Sequence, residues 1–276
     1  MNAMKISVVI LCHNEEHNLP RSICALGDCA EVVVVDDGST DRSMELAKSL
    51  GARVVTHAFE SFAAQRNWAM DHAGLRHDWV LHLDADEVMT PEGLAEIRRR
   101  LDSLSPHHVG FIPRKVMLGE TWLKHSADYP VYVPRLLRRD GPRFYMRGHG
   151  EWIDVPEQLQ VKLNEPMLHY NFSRGWEDWW RRHEKYAADE VRRILTGLPP
   201  VNLSRLFSAD STTRRVAIRS FSYRLPGRPF LRFAYSYFIK RGFLDGLAGW
   251  QFCRAMMKYE QLINAKLHFA RRDTEE

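Results

Sequence analysis

The first hundred residues alternate between apolar runs and amphipathic stretches, with short connections between them. The apolar runs are rich in β-branched residues, which is the pattern of strands covered on both faces. They are "KISVVILC" (5–12), "EVVVVDD" (31–37), "ARVVTH" (52–57) and "DWVLHLDAD" (78–86). Helical patterns follow them at 16–27, 38–51, 61–74 and 90–101. This alternation predicts an α/β domain with a doubly wound, mainly parallel sheet.

Signals at the ends of the predicted helices agree with this interpretation. Pro20 lies near the first turn of the first helix, where proline is tolerated. Thr90 fits the N-cap of the fourth helix and Pro91 its first position. Gly51 fits the C-cap of the second helix.

The pattern changes after about residue 105. The stretches 107–119 and 131–141 predict antiparallel or extended segments, and "PRFYMRGHGEWIDV" (142–155) predicts a loop rich in polar and aromatic groups. From residue 175 onward the pattern is helical, and there is no internal repeat or low-complexity linker. We therefore predict an α/β catalytic domain over residues 1–170 and a C-terminal helical extension over residues 171–276.

Charge divides the chain in the same place. Of the 276 residues, 45% are hydrophobic and 27% charged, a composition with ample material for a core. The net charge of +4 hides a contrast, since residues 1–170 carry 19 basic and 24 acidic side chains. Residues 171–276 carry 20 basic and 11 acidic side chains. An acidic catalytic part and a basic part that faces something anionic are therefore expected.

Three features favour a cytoplasmic, reducing location. The sequence contains no run of 18 or more apolar residues, so it predicts no membrane-spanning helix. The start, "MNAMKISVVILC", lacks the apolar segment and cleavage site of a signal peptide. The four cysteines form no C-x-x-C pair and no spacing typical of zinc or a disulfide framework. They are Cys12, Cys24, Cys29 and Cys253.

Three polar clusters come directly after predicted strands: "CHNEE" (12–16), "DDGSTD" (36–41) and "DADE" (84–87). In an open parallel sheet, ligands bind beyond the carboxyl ends of the strands, so the clusters are expected to converge on one edge. Asp84 and Asp86 form a D-x-D pair that suits Mg²⁺ or Mn²⁺ bridging to a substrate diphosphate. Capping of the next helix is the alternative role for these carboxylates.

The second cluster also has two compatible roles. Asp36 or Asp37 is suited to accept hydrogen bonds from a nucleobase N–H or a ribose hydroxyl. The same stretch also predicts a turn and a helix cap, in which Gly38 supplies an unusual backbone angle and Ser39 supplies the capping side chain.

Four stretches in order, "SVVILCHNEE", "VVVVDDGSTD", "AAQRNWAM" and "WVLHLDADE", resemble the family 2 inverting glycosyltransferases of the GT-A fold. The resemblance covers residues 5 to about 90. More loosely, "RGHGEW" and the helical tail resemble the bacterial members that build lipopolysaccharide core and other envelope polysaccharides. The chain departs from the commonest pattern at Cys12 and His13, where many members have proline or threonine and then tyrosine.

The resemblance implies a donor site built from the three strand-end loops and one helix. The implied nucleotide contacts are Asn14, Glu15, Asp36, Asp37, Arg66, Asn67 and Asp84. Either Asp36 or Asp37 is implied to contact the base, usually uracil. Asp84 and Asp86 are implied to bind the metal and the ribose–diphosphate part of the donor.

An inverting transfer also needs a general base, which takes the proton of the acceptor hydroxyl as its oxygen attacks the anomeric carbon. The resemblance implies a carboxylate downstream of the D-x-D pair. The candidates are Glu151, Asp154 and Asp128. Glu151 is favoured, because His149 offers a hydrogen-bonding partner and Trp152 an aromatic face for a sugar. A solvated loop glutamate is the alternative.

Residues 205–241 hold nine Lys or Arg against one acid, with eight Phe or Tyr between them. An amphipathic segment on the anionic inner-membrane surface, a nucleic-acid surface and an ordinary helical layer are the three interpretations. The first fits the resemblance, because a lipid-anchored acceptor is met at the bilayer, and no nucleic-acid partner is expected. The tryptophans at 176, 179 and 180 have helical spacing and predict core or the wall of an acceptor cleft.

The sequence therefore predicts a cytoplasmic, membrane-peripheral, metal-dependent inverting glycosyltransferase. It would move a hexose from a nucleotide sugar, with UDP expected, to lipopolysaccharide core or another envelope glycolipid. Two alternatives stay open. A sugar-1-phosphate nucleotidyltransferase is expected to have a glycine-rich loop where this chain has "CHNEE". A catalytically silent sugar-nucleotide-binding scaffold would tolerate the loss of Glu151.

Overall fold

The computed structural model describes residues 4–27, 29–104, 107–147, 150–197, 203–208, 213–214, 217, 220–221, 225 and 227–272. The chain divides into two compact units. The first comprises residues 1–122 and 128–174, and the second comprises residues 123–127 and 175–276.

The described residues of the first unit form a large sheet, a separate hairpin and four α-helices. Its strands are β1 (Met4–Cys12), β2 (Cys29–Asp36), β3 (Arg53–Thr56), β4 (Trp79–Asp84), β5 (Glu87–Met89), β6 (Val109–Leu118), β7 (Thr121–Trp122), β8 (Val131–Arg138), β9 (Phe144–Arg147), β10 (Gly150–Ile153), β11 (Gln160–Lys162) and β12 (Met167–His169). Its helices are α1 (Leu19–Cys24), α2 (Ser43–Ser49), α3 (Phe62–His72) and α4 (Pro91–Arg100). Short 3-10 turns lie at Leu101–Ser103 and Glu157–Leu159.

The sheet is mixed, with strand order β3-β2-β1-β4-β8-β6-β12-β5, and β7 and β11 pair with β6. Strands β1 to β4 are mutually parallel where they pair. Strand β8 is antiparallel to both β4 and β6, and β12 is parallel to β6. The predicted α/β architecture is confirmed, as are the parallel start of the sheet and the antiparallel strands after residue 105.

The first strand lies at the centre of the core because both of its faces are covered. Val8 belongs to the same buried cluster as Leu19 of α1 and Ile97 of α4. The next residue, Val9, points to the other face and belongs to a cluster with Ala69 of α3. Alternation along a strand puts successive side chains on opposite faces, so a continuous apolar run is what a strand between two helical layers requires.

Local signals fix several element ends. The Thr90 hydroxyl accepts a hydrogen bond from the Gly93 amide, which confirms the predicted cap of α4. Gly51 has a φ of 83°, a left-handed conformation that suits glycine after α2. The first helix is shorter than predicted and begins at Leu19. The preceding residues form a polar loop in which the carbonyl of Glu15 accepts from the amide of Asn18.

The prediction of a loop over residues 142–155 was wrong. Strands β9 and β10 form an antiparallel hairpin in which Phe144 pairs with Ile153. Both side chains are buried and pack with Ala63 and Met70 of α3. The sequence signal was weak because several large side chains between them, including Trp152, are exposed.

The second unit is helical, as predicted. It contains α5 (Gly175–Leu195), a 3-10 turn (Leu203–Phe207), α6 (Arg228–Ala234), a π turn (Tyr235–Ile239), a 3-10 turn (Gly242–Asp245) and α7 (Gly246–Arg272). Ala187 and Val191 of α5 pack in one buried cluster with Ile263 of α7. Parts of the 205–241 segment fall outside the described residues. Of the helices that are described, even the longest lacks an apolar stretch of the kind needed to cross a membrane.

A histidine inside this unit gives its stability a predicted pH dependence. The His183 ring stacks on Trp179 with centroids 3.4 Å apart, and its Nδ1 bonds to the Trp179 carbonyl oxygen at 2.8 Å. Burial lowers the pKa of His183 to about 4, although the hydrogen bond opposes this. The unfolded state, with a pKa of about 6.5, binds the proton first as pH falls. Stability is therefore complete above about pH 6.5 and decreases towards pH 4.

We expect wild type to lose on the order of 1–3 kcal/mol of unfolding free energy through this residue between about pH 7 and pH 4. Urea unfolding of wild type and His183→Gln across that range measures the effect, because other titrating groups are common to both proteins. The free-energy difference between the two proteins should change with pH. A constant difference would contradict the assigned pKa.

Candidate active site

The loops after β1 and β2 are joined at the carboxyl edge of the sheet. The Asp37 amide donates to the Cys12 carbonyl at 3.1 Å, and the Asn14 amide donates to Ser39 Oγ at 2.9 Å. The side-chain oxygen of Asn14 accepts from the Thr40 amide at 2.7 Å. Since β4 is the other neighbour of β1, the "DADE" segment begins at the same edge. The predicted convergence of the polar clusters is therefore found, and Asn14 connects two of them.

The structure distinguishes the two aspartates after β2. Asp36 is fully buried, and its Oδ2 accepts from the amides of Gly38 and Ser39, both at 3.0 Å. Its other oxygen accepts from the Ser39 hydroxyl. The carboxylate of Asp37 instead contacts the ring of His13, which is exposed. Asp36 thus holds the turn, and Asp37 is the member of the pair that a ligand can reach.

Two arginines lie between three carboxylates beside this edge. Arg66 of α3 donates to Asp84 Oδ1 and to Glu151 Oε1, both at 2.6 Å. Arg135 of β8 donates to Asp84 Oδ2 at 3.0 Å and to Glu151 Oε2 at 3.2 Å. Arg135 also binds both carboxylate oxygens of Glu87 at 2.9 Å. We call these five residues the arginine network, in which both arginines bridge Asp84 to Glu151.

The arginine network has its positive charges inside and two of its negative charges towards solvent. The side chain of Arg66 is 0% exposed and that of Arg135 is 4% exposed, whereas that of Asp84 is 29% exposed. Glu151 is intermediate, with 12% of its side chain exposed. Arg66 contacts the carboxylates of Asp84 and Glu151 from the interior. Its implied contact with the nucleotide stays a prediction.

The buried charges set the ionisation of neighbouring groups. Burial alone would raise the pKa of Asp84, but the guanidinium groups of Arg66 and Arg135 outweigh it and hold that pKa well below its ordinary value. Burial and the same two arginines lower the pKa of His82, so its ring is neutral. Both ring nitrogens of His82 are buried without a hydrogen-bond partner among the described residues. Asp84 therefore presents a carboxylate at neutral pH.

Asp86 lies in a different group of side chains. Its Oδ2 is 3.4 Å from His169 Nε2, and its backbone oxygen accepts from the Tyr170 amide at 2.8 Å. Burial raises the pKa of Glu15, and the charge of Asp86 raises it further. Arg174 partly compensates through a 3.1 Å bond to Glu15. The two halves of the D-x-D pair thus have different partners, arginines for Asp84 and a histidine for Asp86.

These partners decide how well the residues fit a divalent cation. Within the part of the chain that the structure describes, no group of three or more His, Cys, Asp or Glu side chains is arranged to hold a metal. Both oxygens of Asp84 are bound to arginines. Asp86 Oδ2 and His169 Nε2, which lie 3.4 Å apart, offer a carboxylate oxygen and an imidazole nitrogen. This pair fits a cation that takes its other ligands from a substrate diphosphate.

The remaining predicted residues fall into three situations. Asn67 uses its whole amide to bind the backbone of Phe144, at 2.9 Å and 3.0 Å, so it braces the hairpin rather than facing a nucleotide. Asp154 is exposed and follows β10 on the face opposite to Glu151, because strand side chains alternate. Asp128 is exposed before β8. His149 lies outside the described residues.

Sequence reasoning missed Arg135 and His169. Arg135 stands inside "VYVPRLLR", where a cation flanked by apolar residues of a strand indicates a buried partner. His169 ends "MLH", a short strand that precedes the helical region. Arg135 lies 51 positions after Asp84, and His169 lies still further along the chain from Asp86. No local sequence pattern therefore links either residue to the D-x-D pair.

The chain belongs to glycosyl transferase family 2. The sequence model of that family matches residues 7–154, more than half of the chain. The resemblance seen in the four motifs is thereby confirmed, and so is the α/β GT-A fold. Residues 7–154 therefore form a glycosyl transferase family 2 domain.

Curated relatives extend this result. A TPR repeat-containing protein of Synechococcus elongatus is 36% identical over 191 residues, which is 68% of this chain and 44% of that protein. The lipopolysaccharide core biosynthesis glycosyltransferase LpsC of Rhizobium meliloti is 32% identical over 174 residues, which is 60% of this chain and 57% of that protein. The chain spans about half the length, or less, of these relatives.

Among solved structures, glucosyl-3-phosphoglycerate synthase of Mycobacterium tuberculosis, in complex with Mn²⁺, UDP and its product, is 24% identical. The likeness covers 41% of this chain and 44% of that one, with a TM-score of 0.34. A likeness at this level says nothing about the ligands of the present chain.

Replacing Arg135 with methionine should destabilise the protein strongly. The change keeps the length of the side chain but leaves Glu87, which is fully buried, without its counter-charge. Breaking a buried ion pair in this way costs about 3–5 kcal/mol. Urea unfolding of Arg135→Met against wild type measures it.

Arg138→Met on the same strand is the matched control. Arg138 pairs with Asp78 and Asp140, whose side chains are largely exposed, and such pairs contribute about 0–1 kcal/mol. Equal destabilisation by the two substitutions would show that the arginine network is no more important than a surface pair.

Proposed function

We propose that this glycosyltransferase moves a hexose from a nucleoside diphosphate sugar, with UDP expected, to a saccharide on an envelope glycolipid, with inversion at the anomeric carbon. The observation that carries the proposal is the edge where Asp37, Asp84 and Asp86 face the ends of three adjacent parallel strands. That is where an open α/β sheet binds a nucleotide. The name of the Rhizobium relative supports an acceptor in the lipopolysaccharide core.

In this proposal the two aspartates of the D-x-D pair have separate roles. Asp84, held by Arg66 and Arg135, accepts hydrogen bonds from the ribose of the donor. Asp86 and His169 would hold Mg²⁺ or Mn²⁺ when the donor is bound. Such an ion supplies positive charge that neutralises the departing nucleoside diphosphate. Asp37 contacts the base, since Asp36 is committed to its own turn.

Glu151 acts as the general base in the proposed reaction. Each of its oxygens accepts one bond from an arginine, and a carboxylate oxygen has a second lone pair that can accept the proton of an acceptor hydroxyl. The acceptor oxygen then attacks the anomeric carbon from the side opposite the nucleoside diphosphate. The new carbon–oxygen bond forms as the bond to the phosphate oxygen breaks, and the two arginines keep the carboxylate oriented.

A binding test comes first. Melting of the purified protein is measured against a panel of nucleotides and nucleotide sugars, with and without Mg²⁺ or Mn²⁺. A ligand at about 100 times its dissociation constant stabilises the fold by about 2.7 kcal/mol. We expect a melting shift that needs both a uridine nucleotide and the cation. A shift with metal alone and with no nucleotide would count against the proposed donor.

Glu151→Gln should lower kcat by about 10²- to 10⁴-fold, because the amide cannot accept the proton. The substitution keeps the shape of the side chain, so the nucleotide-dependent melting shift should persist. Asp154→Asn is the control, since Asp154 lies on the other face of the hairpin, and its kcat should stay near wild type. Wild-type turnover by Glu151→Gln would place the base elsewhere.

The acceptor is proposed to be met at the anionic inner-membrane surface. Nine large apolar side chains between residues 230 and 250 are exposed, with 38% to 72% of their surface accessible. They are Phe230, Leu231, Tyr235, Phe238, Ile239, Phe243, Leu244, Leu247 and Trp250, and we call them the apolar surface. An apolar patch of this density on a protein surface marks a site of interaction.

The charges around the apolar surface favour an anionic bilayer as its partner. Residues 227–258 contain six Lys or Arg, of which Arg228 is buried and paired with Glu260, and a single acid, Asp245. Asp245 is buried and accepts from the amides of His125 and Ser126, so it adds no exposed negative charge. Apolar side chains that enter the interface, flanked by cations that meet anionic lipids, are the two components of peripheral binding.

Replacing Phe238 and Ile239 together with serine should weaken binding to vesicles of phosphatidylglycerol and phosphatidylcholine by at least about tenfold, because each side chain loses its burial in lipid. Phe269→Ser is the control, since Phe269 is 64% exposed and lies outside the apolar surface. Sedimentation with vesicles measures the binding. Equal loss in both proteins, or no dependence on the anionic lipid, would contradict membrane docking here.

A further inference from the structure

A groove of about 290 Å³ lies between α5 and α7, wholly within the second unit. Small-molecule sites begin at about 300 Å³, so the groove lies at the lower limit of that range and suits only a small ligand. It is lined chiefly by Trp176, Trp180, Trp250, Gln251, Arg254 and Lys258. Three indoles, two cations, an amide and Ala255 form this lining, and no acidic side chain of the described residues belongs to it.

The indoles form a fixed aromatic wall. Trp176 and Trp180 are one helical turn apart, and both rings pack edge-on against Trp179, with centroids 5.6 Å and 4.8 Å away. Trp179 is fully buried, so it anchors its two neighbours. Indole faces offer large, rigid apolar area with little rotamer freedom to lose. The C–H face of a pyranose ring is a flat apolar surface that matches such a wall.

The cations lie at one side of the same groove. The Arg254 guanidinium is 5.0 Å from the centroid of the Trp250 ring, and Lys258 follows one turn later on α7. Within the described residues neither forms an ion pair with an acid. A guanidinium and an ammonium that converge on one place fit the oxygens of a phosphate group.

The groove also continues the apolar surface. Leu247, Trp250, Arg254 and Lys258 are spaced by three or four residues and so form one stripe along α7. The stripe begins with an exposed member of the apolar surface and ends with the two cations of the groove. Trp250 belongs to both the groove and the apolar surface, so the groove lies beside the surface that is proposed to enter the bilayer interface.

We propose that this groove binds a phosphorylated sugar, namely the sugar–phosphate part of the membrane-anchored acceptor. The indoles of Trp176 and Trp180 take the face of the sugar ring, and Arg254 and Lys258 take the phosphate. The proposal rests on the proposed function for the nature of the acceptor. It adds a site in the second unit that selects acceptors with a phosphorylated headgroup.

Binding is tested on the full chain by ligand-observed NMR titration, with UDP and Mg²⁺ present throughout to fill the donor site. The probes are glucose 6-phosphate, glucose and inorganic phosphate. We expect glucose 6-phosphate to bind at least about tenfold more tightly than either fragment, because it engages the wall and the cations together. Arg254→Gln and Trp250→Leu should each weaken it by about five- to tenfold. Lys185→Gln, an exposed position of α5 outside the groove, should leave it unchanged.

Three results would overturn the proposal. They are equal affinity in wild type and Arg254→Gln, inorganic phosphate binding as tightly as glucose 6-phosphate, and glycerol 3-phosphate, the phosphate group of a lipid headgroup without a sugar ring, binding as tightly as glucose 6-phosphate. The melting shift with UDP and Mg²⁺ is measured on the same wild-type sample. Probe binding in the groove without that melting shift would contradict the proposed function alone. The melting shift without probe binding would contradict only the proposal that the groove binds a phosphorylated sugar.

Discussion

The burial of two guanidinium groups between three carboxylates is the constraint on which the rest of the site depends. Arg66 comes from α3 and Arg135 from β8, and their partners lie on β4, β5 and β10. Neither arginine is stable in the interior without the acids, and Glu87 is not stable there without Arg135. The arginine network therefore connects the parallel half of the sheet, the antiparallel half and the hairpin in one set of contacts.

This arrangement explains why an acidic motif can stand at the end of a buried strand. The arginines neutralise Asp84 from inside and keep its pKa low, while part of its carboxylate stays accessible at the sheet edge. Asp86 is not one of the carboxylates that Arg66 and Arg135 bind, and it is close to His169 and Glu15. A single D-x-D sequence thus provides one carboxylate held by two arginines and one that lies beside a histidine. The proposed division of labour between ribose and metal follows from this difference.

The sequence predicted what local patterns encode. Apolar runs gave the parallel strands, and capping residues such as Thr90 gave helix ends. Long-range pairing was not predictable in this way, because Arg135 meets Asp84 across 51 positions and nothing near either residue indicates the other. The hairpin over residues 144–153 was missed because its buried pair is separated by exposed aromatic and basic side chains. The assignment of Arg66 and Asn67 to the nucleotide followed motif order, which does not report burial.

The central claim is that Asp86 and His169, rather than Asp84, hold the cation of the donor complex. The most direct measurement is Mn²⁺ binding by electron paramagnetic resonance in the presence of UDP, on folded samples of wild type, Asp84→Asn, Asp86→Asn and His169→Gln. The account predicts that Asp86→Asn and His169→Gln lose at least about tenfold in Mn²⁺ affinity, as loss of a ligand requires. Asp84→Asn should stay within a few-fold of wild type. Loss of Mn²⁺ in Asp84→Asn with retention in His169→Gln would contradict it.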